Sequence, residues 1–110
     1  METLKLKKPL LVNGKDIHEL NYDLDGLTAF DMDRAGKLLK DDGSFANIME
    51  FDSGYHYKLF CVAATKQCPD IAMSDMERLG ARDYAAAARS VRRFLLSSSE
   101  DLSPEDTSEE

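Results

Sequence analysis

The 110-residue sequence contains no tryptophan, only two cysteines and three prolines, and no apolar run near the roughly 20 residues that a membrane-spanning helix requires. Its first residues, METLKLKKP, lack the apolar core of a secretory signal peptide, so we expect a cytosolic protein. In that compartment Cys61 and Cys68 are expected to remain reduced thiols. We also expect a single domain, because hydrophobic cores divide only beyond roughly 250 residues.

Basic residues are absent from the last part of the chain. Six of the 21 acidic residues and none of the 14 basic residues lie after Leu96, so residues 97–110 account for most of the formal net charge of −7. An overall basic surface that would attract nucleic acid is missing. Residues 97–110 contain one leucine among mostly polar side chains, and they cannot bury enough apolar surface to offset their ordering entropy. We therefore predict a single domain over residues 1–96 and a disordered acidic tail over residues 97–110.

Alternating apolar and polar residues predict a β-hairpin or small meander over residues 3–24. Leu4 and Leu6 alternate with lysines, and the pair Asn13-Gly14 is typical of a tight two-residue turn. Pro9 is expected to weaken the first strand or to mark its end, which favours an edge position. After Gly26 the apolar spacing changes from two residues to three and four. The sequence thus predicts an α+β fold, in which a small N-terminal β-hairpin or meander precedes a three- to four-helix unit.

Two helices are predicted in the middle of the chain. The first begins at Thr28, ends at Asp41-Asp42-Gly43, and has an apolar side made of four residues: Met32, Ala35, Leu38 and Leu39. The second runs from Tyr55 to Gln67 and is apolar over most of its circumference, so we expect it to be the most buried element. It should end at Cys68-Pro69, because the residue before a proline is pushed out of the helical region. Residues 44–51 fit either a single helical turn or a plug in the core.

The segment SDMERLGARDYAAAARSVRRFLL, residues 74–96, has the clearest pattern. Ser74 and Glu77 have the spacing of a capping box, which predicts a short helix that Gly80 ends in the left-handed conformation. A second helix is predicted from Ala81 to about Leu96. Its apolar residues recur at three- and four-residue spacing and therefore share one side: Tyr84, Ala87, Ala88, Val91, Phe94 and Leu95.

Residue types that could bind metal or catalyse a reaction are present, but their spacing favours neither. The acid pairs Asp31/Asp33 and Asp41/Asp42 lie at a predicted helix start and in a predicted turn, where acidic residues are favoured for structural reasons without any catalytic role. There is no phosphate-binding loop and no nucleophile elbow. We expect no enzymatic activity, no cofactor and no metal. Four potential ligands match none of the paired zinc-ligand spacings: His18, His56, Cys61 and Cys68.

DNA binding is the main alternative function. A short helix, a glycine turn and a longer helix that carries Arg82, Arg89, Arg92 and Arg93 have the outline of a helix-turn-helix regulator. Against it, the first helix is very short, and alanines occupy positions that would have to contact bases. A solvated arginine face explains the same residues.

Two stretches of the chain carry a family resemblance. One is KPLLVNGKDIHEL near the start, and the other is a set of residues near the end: Pro69, Met76, Leu79, Asp83-Tyr84 and Phe94-Leu95. Together with the order of the segments, they make residues 3–96 resemble the small tail assembly chaperones of tailed bacteriophages, in particular those of contractile-tailed phages.

The resemblance implies a non-catalytic protein of the host cytoplasm. Such a chaperone binds the tape measure protein, keeps it soluble and helps tail tube subunits polymerise around it. Members of the family are often made in two lengths by translational frameshifting, so a longer form of the chain is implied as a further partner. The oligomeric state is left open. Because arginine and large aromatic residues most often anchor interfaces, we predict partner contacts on the C-terminal helix: Tyr84, Arg89, Arg92, Arg93 and Phe94.

Overall fold

The computed structural model describes residues 1–41, 43 and 52–102. Two strands precede four helices, which confirms the predicted α+β order. The elements are β1 (Glu2–Val12), β2 (Lys15–Tyr22), α1 (Ala29–Asp41), α2 (Ser53–Gln67), α3 (Met73–Met76) and α4 (Ala81–Leu102). None of the helices in this described part of the chain is long and apolar enough to cross a membrane.

The predicted hairpin forms around its Asn-Gly turn. Asn13 has a φ of 52° and Gly14 a φ of 79°, positive values that these two residue types adopt at least cost. β1 and β2 pair antiparallel, with Val12 opposite Lys15 next to the turn. The two strands form a two-stranded sheet, so the hairpin prediction is confirmed.

Pro9 marks an irregularity inside β1, and the strand does not end there. The register shifts between Lys5 and Leu10, which are paired on either side of the interruption. A proline cannot donate an N–H to the ladder, so a bulge near Pro9 removes the need for that hydrogen bond. Beyond the bulge the strand continues to Val12.

The first helix begins with a reciprocal cap. The backbone N–H of Thr28 donates to the Asp31 carboxylate over 2.9 Å, and the N–H of Asp31 donates to the Thr28 hydroxyl over 3.3 Å. Ala35 and Leu39, from the predicted apolar side, are buried. Asp42 and residues 44–51 lie outside the described residues, so the two interpretations of residues 44–51, a single helical turn or a plug in the core, stay predictions.

The core is built around α2, as predicted. Asp52 caps the helix by accepting the N–H of Tyr55 over 2.8 Å, and the helix ends at Gln67, just before Cys68-Pro69. The hairpin packs on α2 through its inward face, where the rings of Tyr22 and Phe60 lie 4.8 Å apart. The residues of α2 that are at most 2% exposed are Tyr55, His56, Leu59, Phe60, Cys61, Val62, Ala63 and Ala64.

Two details of the short helix were predicted wrongly. α3 begins at Met73, and its N-terminal cap is formed by Asp75, whose carboxylate accepts the N–H of Ala72 over 2.9 Å. Asp75 lies three residues after the N-cap residue Ala72 and accepts its backbone N–H, which is the capping hydrogen bond that was predicted between Glu77 and Ser74. Gly80 is not left-handed, because among the described residues the positive φ values belong to Asn13, Gly14 and Gly43.

The C-terminal helix runs further than predicted. α4 continues to Leu102, six residues beyond the expected end at Leu96. The apolar pattern does stop at Leu96, but the sequence contains no proline or glycine between Leu96 and Leu102. The acidic segment therefore begins inside α4. Residues 103–110 lie outside the described residues, so the prediction of a disordered tail stays a prediction for them.

Candidate partner-binding surface

The start of α4 is fixed against the bulge of β1. The carboxylate of Asp83 accepts the backbone N–H of Lys7 over 2.9 and 3.1 Å and that of Lys8 over 3.1 Å. Asp83 is 2% exposed, so these hydrogen bonds are what keeps its charge inside the protein. Gly80 lets the two segments approach, because a Cβ at this position would lie 3.3 Å from the Lys8 Cβ. Its carbonyl accepts the N–H of Tyr84 over 2.8 Å and starts the helix.

One stripe of α4 is buried against α2. Ala87 and Val91 are fully buried and Ala88 is 7% exposed, and α4 contacts α2 more extensively than any other helix does. Alanine side chains allow two helix axes to come close together. The residues that flank this stripe are therefore held at the two edges of the α2–α4 contact.

At one edge lies a depression that we call the α2–α4 cleft. It has a volume of about 230 Å³ and is open to solvent. Ala85 and Ala88 provide an apolar floor, and Arg89 and Arg92 stand at the rim as exposed side chains. The residues that line the cleft are Ser53, His56, Tyr84, Ala85, Ala88, Arg89 and Arg92.

Tyr84 forms one wall of the cleft and is held in place by a second tyrosine. Its ring centroid lies 4.5 Å from that of Tyr57, with the planes tilted by 40°. The Tyr57 hydroxyl donates to the carbonyl of Met76 over 2.5 Å, and burial raises the pKa of Tyr57, so that the group remains a neutral donor. This packing fixes the ring of Tyr84 before any partner arrives.

A second depression lies on the other side of the buried stripe, and we call it the hairpin–α4 cleft. It has a volume of about 220 Å³ and is lined by Glu2, Leu24, Ser90, Arg93, Phe94 and Ser97. Glu2 accepts the hydroxyl of Tyr22 over 3.0 Å, which ties the open end of the hairpin to this region. Burial raises the pKa of Tyr22.

The five residues predicted as partner contacts are thus divided between two places. Tyr84, Arg89 and Arg92 meet at the α2–α4 cleft, whereas Arg93 and Phe94 line the hairpin–α4 cleft. Sequence reasoning considered His56 only as a potential metal ligand and missed its place in the first cleft, where this residue of α2, 1% exposed, is part of the lining. No sequence signal distinguishes it, because α2 is apolar around most of its circumference.

The solvent face of α4 is positively charged on an otherwise acidic chain. Arg82, Arg89, Arg92 and Arg93 are all exposed, and the one acid between residues 81 and 97 is the buried Asp83. Arg82, Arg89 and Arg93 belong to none of the ion pairs that the described residues form. This face therefore suits a partner with acidic side chains.

The residues considered for metal binding or catalysis lie apart or have structural partners. Asp31 binds Lys66 over 2.7 Å, which is the main reason that its pKa is lowered, and Asp33 pairs with Lys37 over 3.4 Å. Burial raises the pKa of Cys61 to about 11. Within the described residues, no three His, Cys, Asp or Glu side chains form a group that could hold a metal ion.

The geometry also gives little support to the helix-turn-helix alternative. α3 has four residues, which is a single turn, whereas the first helix of that motif has to cross the DNA backbone. Between Arg82 and Arg89, Ala87 and Ala88 are buried and the half-buried Ala85 and Ala86 offer no side-chain hydrogen bonds to base edges.

These features define a class of protein: a small α+β domain whose prominent surface is a helix with an apolar, arginine-rimmed cleft suited to another protein. A family model described as "Phage tail assembly chaperone proteins, E, or 41 or 14" matches residues 3–96. The chain belongs to this family, and its role is that of a chaperone with protein partners in phage tail assembly. No curated protein matches the chain, and no solved structure matches it.

Proposed function

We propose that this chaperone binds the tape measure protein through the α2–α4 cleft and helps to recruit tail tube subunits to it in the cytoplasm of the bacterial host. The observation that carries the proposal is the cleft itself, where an apolar floor and two arginines coincide with predicted contact residues. Recruitment of tube subunits follows from the family resemblance, which also implies a longer, frameshifted form of the chain.

The size of the cleft favours a protein partner. At about 230 Å³ it is smaller than the roughly 300–1,000 Å³ of typical small-molecule sites. It can instead receive an apolar side chain from a helix that lies across α2 and α4. Ala85 and Ala88 let the backbone of such a helix come close, and Arg89 and Arg92 can reach acidic residues beside the inserted side chain.

Co-expression with a candidate tape measure protein tests the proposal. With the wild-type chain, we expect the client to stay soluble and to copurify. Arg89→Glu should weaken the complex by about 2 kcal/mol, or roughly 30-fold, if Arg89 is an interface anchor. Ala85→Trp should have a similar effect, because the larger side chain fills the cleft.

Arg82→Glu is the matched control. Arg82 is exposed on the same helix but does not line the α2–α4 cleft, so its reversal should leave the complex nearly unchanged. The proposal fails if the client is equally soluble without the chaperone and no complex survives purification. It also fails if Arg82→Glu weakens the complex as much as Arg89→Glu does.

A further inference from the structure

We propose that the groove between α1 and α2 is a second protein-binding surface, which accepts an apolar side chain of a partner together with a carboxylate beside it. This α1–α2 groove has a volume of about 450 Å³, and its lining includes Asp31, Arg34, Val62, Lys66, Ile71 and Met73. Its use alongside the α2–α4 cleft, with two partners bound at once, rests on the proposed function. The binding of an apolar and acidic segment does not.

The floor of the α1–α2 groove is apolar. Val62 is fully buried, Ile71 is 5% exposed and Met73 is half-buried. Phe30 lies one helical turn before Arg34 on α1, next to the rim of the groove, and is 74% exposed. Apolar surface that is rimmed by polar residues is typical of a site that another protein covers.

The charge of the groove favours a partner with a carboxylate. Asp31 is the one acid in the lining that the structure describes, and its carboxylate already accepts the Lys66 ammonium over 2.7 Å. Arg34 is exposed and takes part in none of the ion pairs within residues 1–41, 43 and 52–102. One positive charge at the rim is therefore left for a partner to neutralise.

The open shape of the groove favours a protein segment over a small molecule. A volume of about 450 Å³ suits either ligand, but a small-molecule site encloses roughly 70–90% of its ligand, and this groove is open to solvent. A protein segment can insert one side chain and leave the rest of its surface outside. The exposed ring of Phe30 gives such a segment a further contact beyond the groove.

The two sites lie on opposite faces of α2. Ser53 and His56 line the α2–α4 cleft, whereas Val62 and Thr65 line the α1–α2 groove. Val62 follows Ser53 by nine residues, and Thr65 follows His56 by nine residues. Nine residues are about 2.5 helical turns, so the members of each pair point in opposite directions and lie about 14 Å apart along the axis. A partner in one site therefore leaves the other site accessible.

Titration of the isotope-labelled full-length protein with synthetic peptides tests the binding through backbone amide resonances. The probe is acetyl-Ser-Glu-Leu-Phe-Glu-Ser-amide. One analogue replaces both glutamates by glutamine, and a second replaces leucine and phenylalanine by serine. N-acetylleucine is the small-molecule comparison, because it carries an apolar side chain and a carboxylate without a peptide segment.

We expect the probe to shift the amide resonances of Arg34, Thr65 and Ile71 and to saturate in the millimolar range. Each analogue and N-acetylleucine should bind roughly fivefold more weakly or worse, because each lacks one part of the contact. High salt should weaken the binding of the probe and leave that of the glutamine analogue unchanged.

Two pairs of variants assign the binding to named side chains. Arg34→Gln should weaken the probe roughly fivefold, whereas Lys40→Gln removes the same charge at an exposed position of α1 outside the groove and should not. Phe30→Ser should also weaken it, whereas Leu11→Ser, at a residue of β1 that is 50% exposed, should not. The amide resonances away from the groove report that each variant is folded.

Several results would overturn the proposal. One is the absence of any shift with the probe, and another is a set of shifts confined to the α2–α4 cleft. Equal effects within either pair of variants would remove the assignment to Arg34 or to Phe30. N-acetylleucine that binds as tightly as the probe would indicate a small-molecule site. Shifts at the groove that grow with protein concentration in the absence of peptide would assign it to a second copy of the chain.

The peptide titration needs no tape measure protein, so its failure leaves the proposed function intact. Repeating it on the complex with the tape measure protein tests whether both sites work together, and the affinity of the probe should stay the same. Competition between the two would contradict their independence. If the probe binds as expected but no complex with the tape measure protein forms, the proposed function fails and the groove remains a binding site.

Discussion

Replacing Asp83 by alanine removes the acceptor that joins the start of α4 to the bulge of β1. Two backbone N–H groups, those of Lys7 and Lys8, then lose their partner. An unsatisfied buried donor costs about 1–3 kcal/mol. Both lysines are exposed and water can reach part of this region, so we take about 1–1.5 kcal/mol for each of the two donors, the lower part of that range. We expect a loss of about 2–3 kcal/mol in the free energy of unfolding.

In a domain of this size such a loss lowers the melting temperature by roughly 10–20 °C. Urea unfolding followed by circular dichroism measures the free energy, and hydrogen exchange reports on the amides of Lys7 and Lys8, which should lose protection. Asp83→Asn keeps one acceptor oxygen but turns an NH₂ group toward the donors, so its loss should be intermediate.

Asp33→Ala is the control, because the Asp33 carboxylate is 69% exposed and pairs with Lys37 at the surface. It should change stability by no more than about 0.5 kcal/mol. If Asp83→Ala is as mild as Asp33→Ala, or if the two amides keep their protection, the role assigned to Asp83 is wrong.

Three further predictions concern stability and reactivity. The pKa of the Asp31 carboxyl is lowered in the folded protein, so its ionised form stabilises the fold at pH values above the unfolded pKa of about 3.9, and this contribution is lost as the pH falls through the folded pKa. The difference in the free energy of unfolding between wild type and Asp31→Asn, measured by urea unfolding, should therefore shrink in acid. In the native protein a thiol reagent at mildly alkaline pH should modify the half-buried Cys68 well before Cys61, whose burial raises its pKa to about 11; equal rates would contradict this. Gly14→Val should destabilise the hairpin by about 1 kcal/mol or more, because φ at this position is 79°, and an unchanged melting curve would count against the turn geometry.

The parts of the fold that the sequence predicts well depend on local signals. The Asn13-Gly14 turn and the alternation on either side of it specify the hairpin without reference to the rest of the chain. The position of α2 follows from its apolar circumference and from Pro69, which ends it. Each of these signals lies within the element that it defines.

The errors arise where the deciding contact is distant or where two signals compete. Asp83 looks like an acid that favours the start of a helix, but its hydrogen bonds go to residues about 75 positions away in the sequence. The end of α4 was placed where the apolar pattern stops at Leu96, but the helix continues to Leu102, two residues before Pro104. Periodicity alone also could not divide the predicted contact residues between two clefts, because the division depends on how α2 and the hairpin pack beside α4.

Site-specific photo-crosslinking within the assembled complex tests the central claim most directly. A photoreactive amino acid is placed at position 85, on the floor of the α2–α4 cleft, or at position 18, where His18 is exposed on β2. Each full-length variant is co-expressed with the tape measure protein and irradiated. The account predicts a crosslink to the client from position 85 and none from position 18. A client crosslink from position 18 with none from position 85 would contradict it.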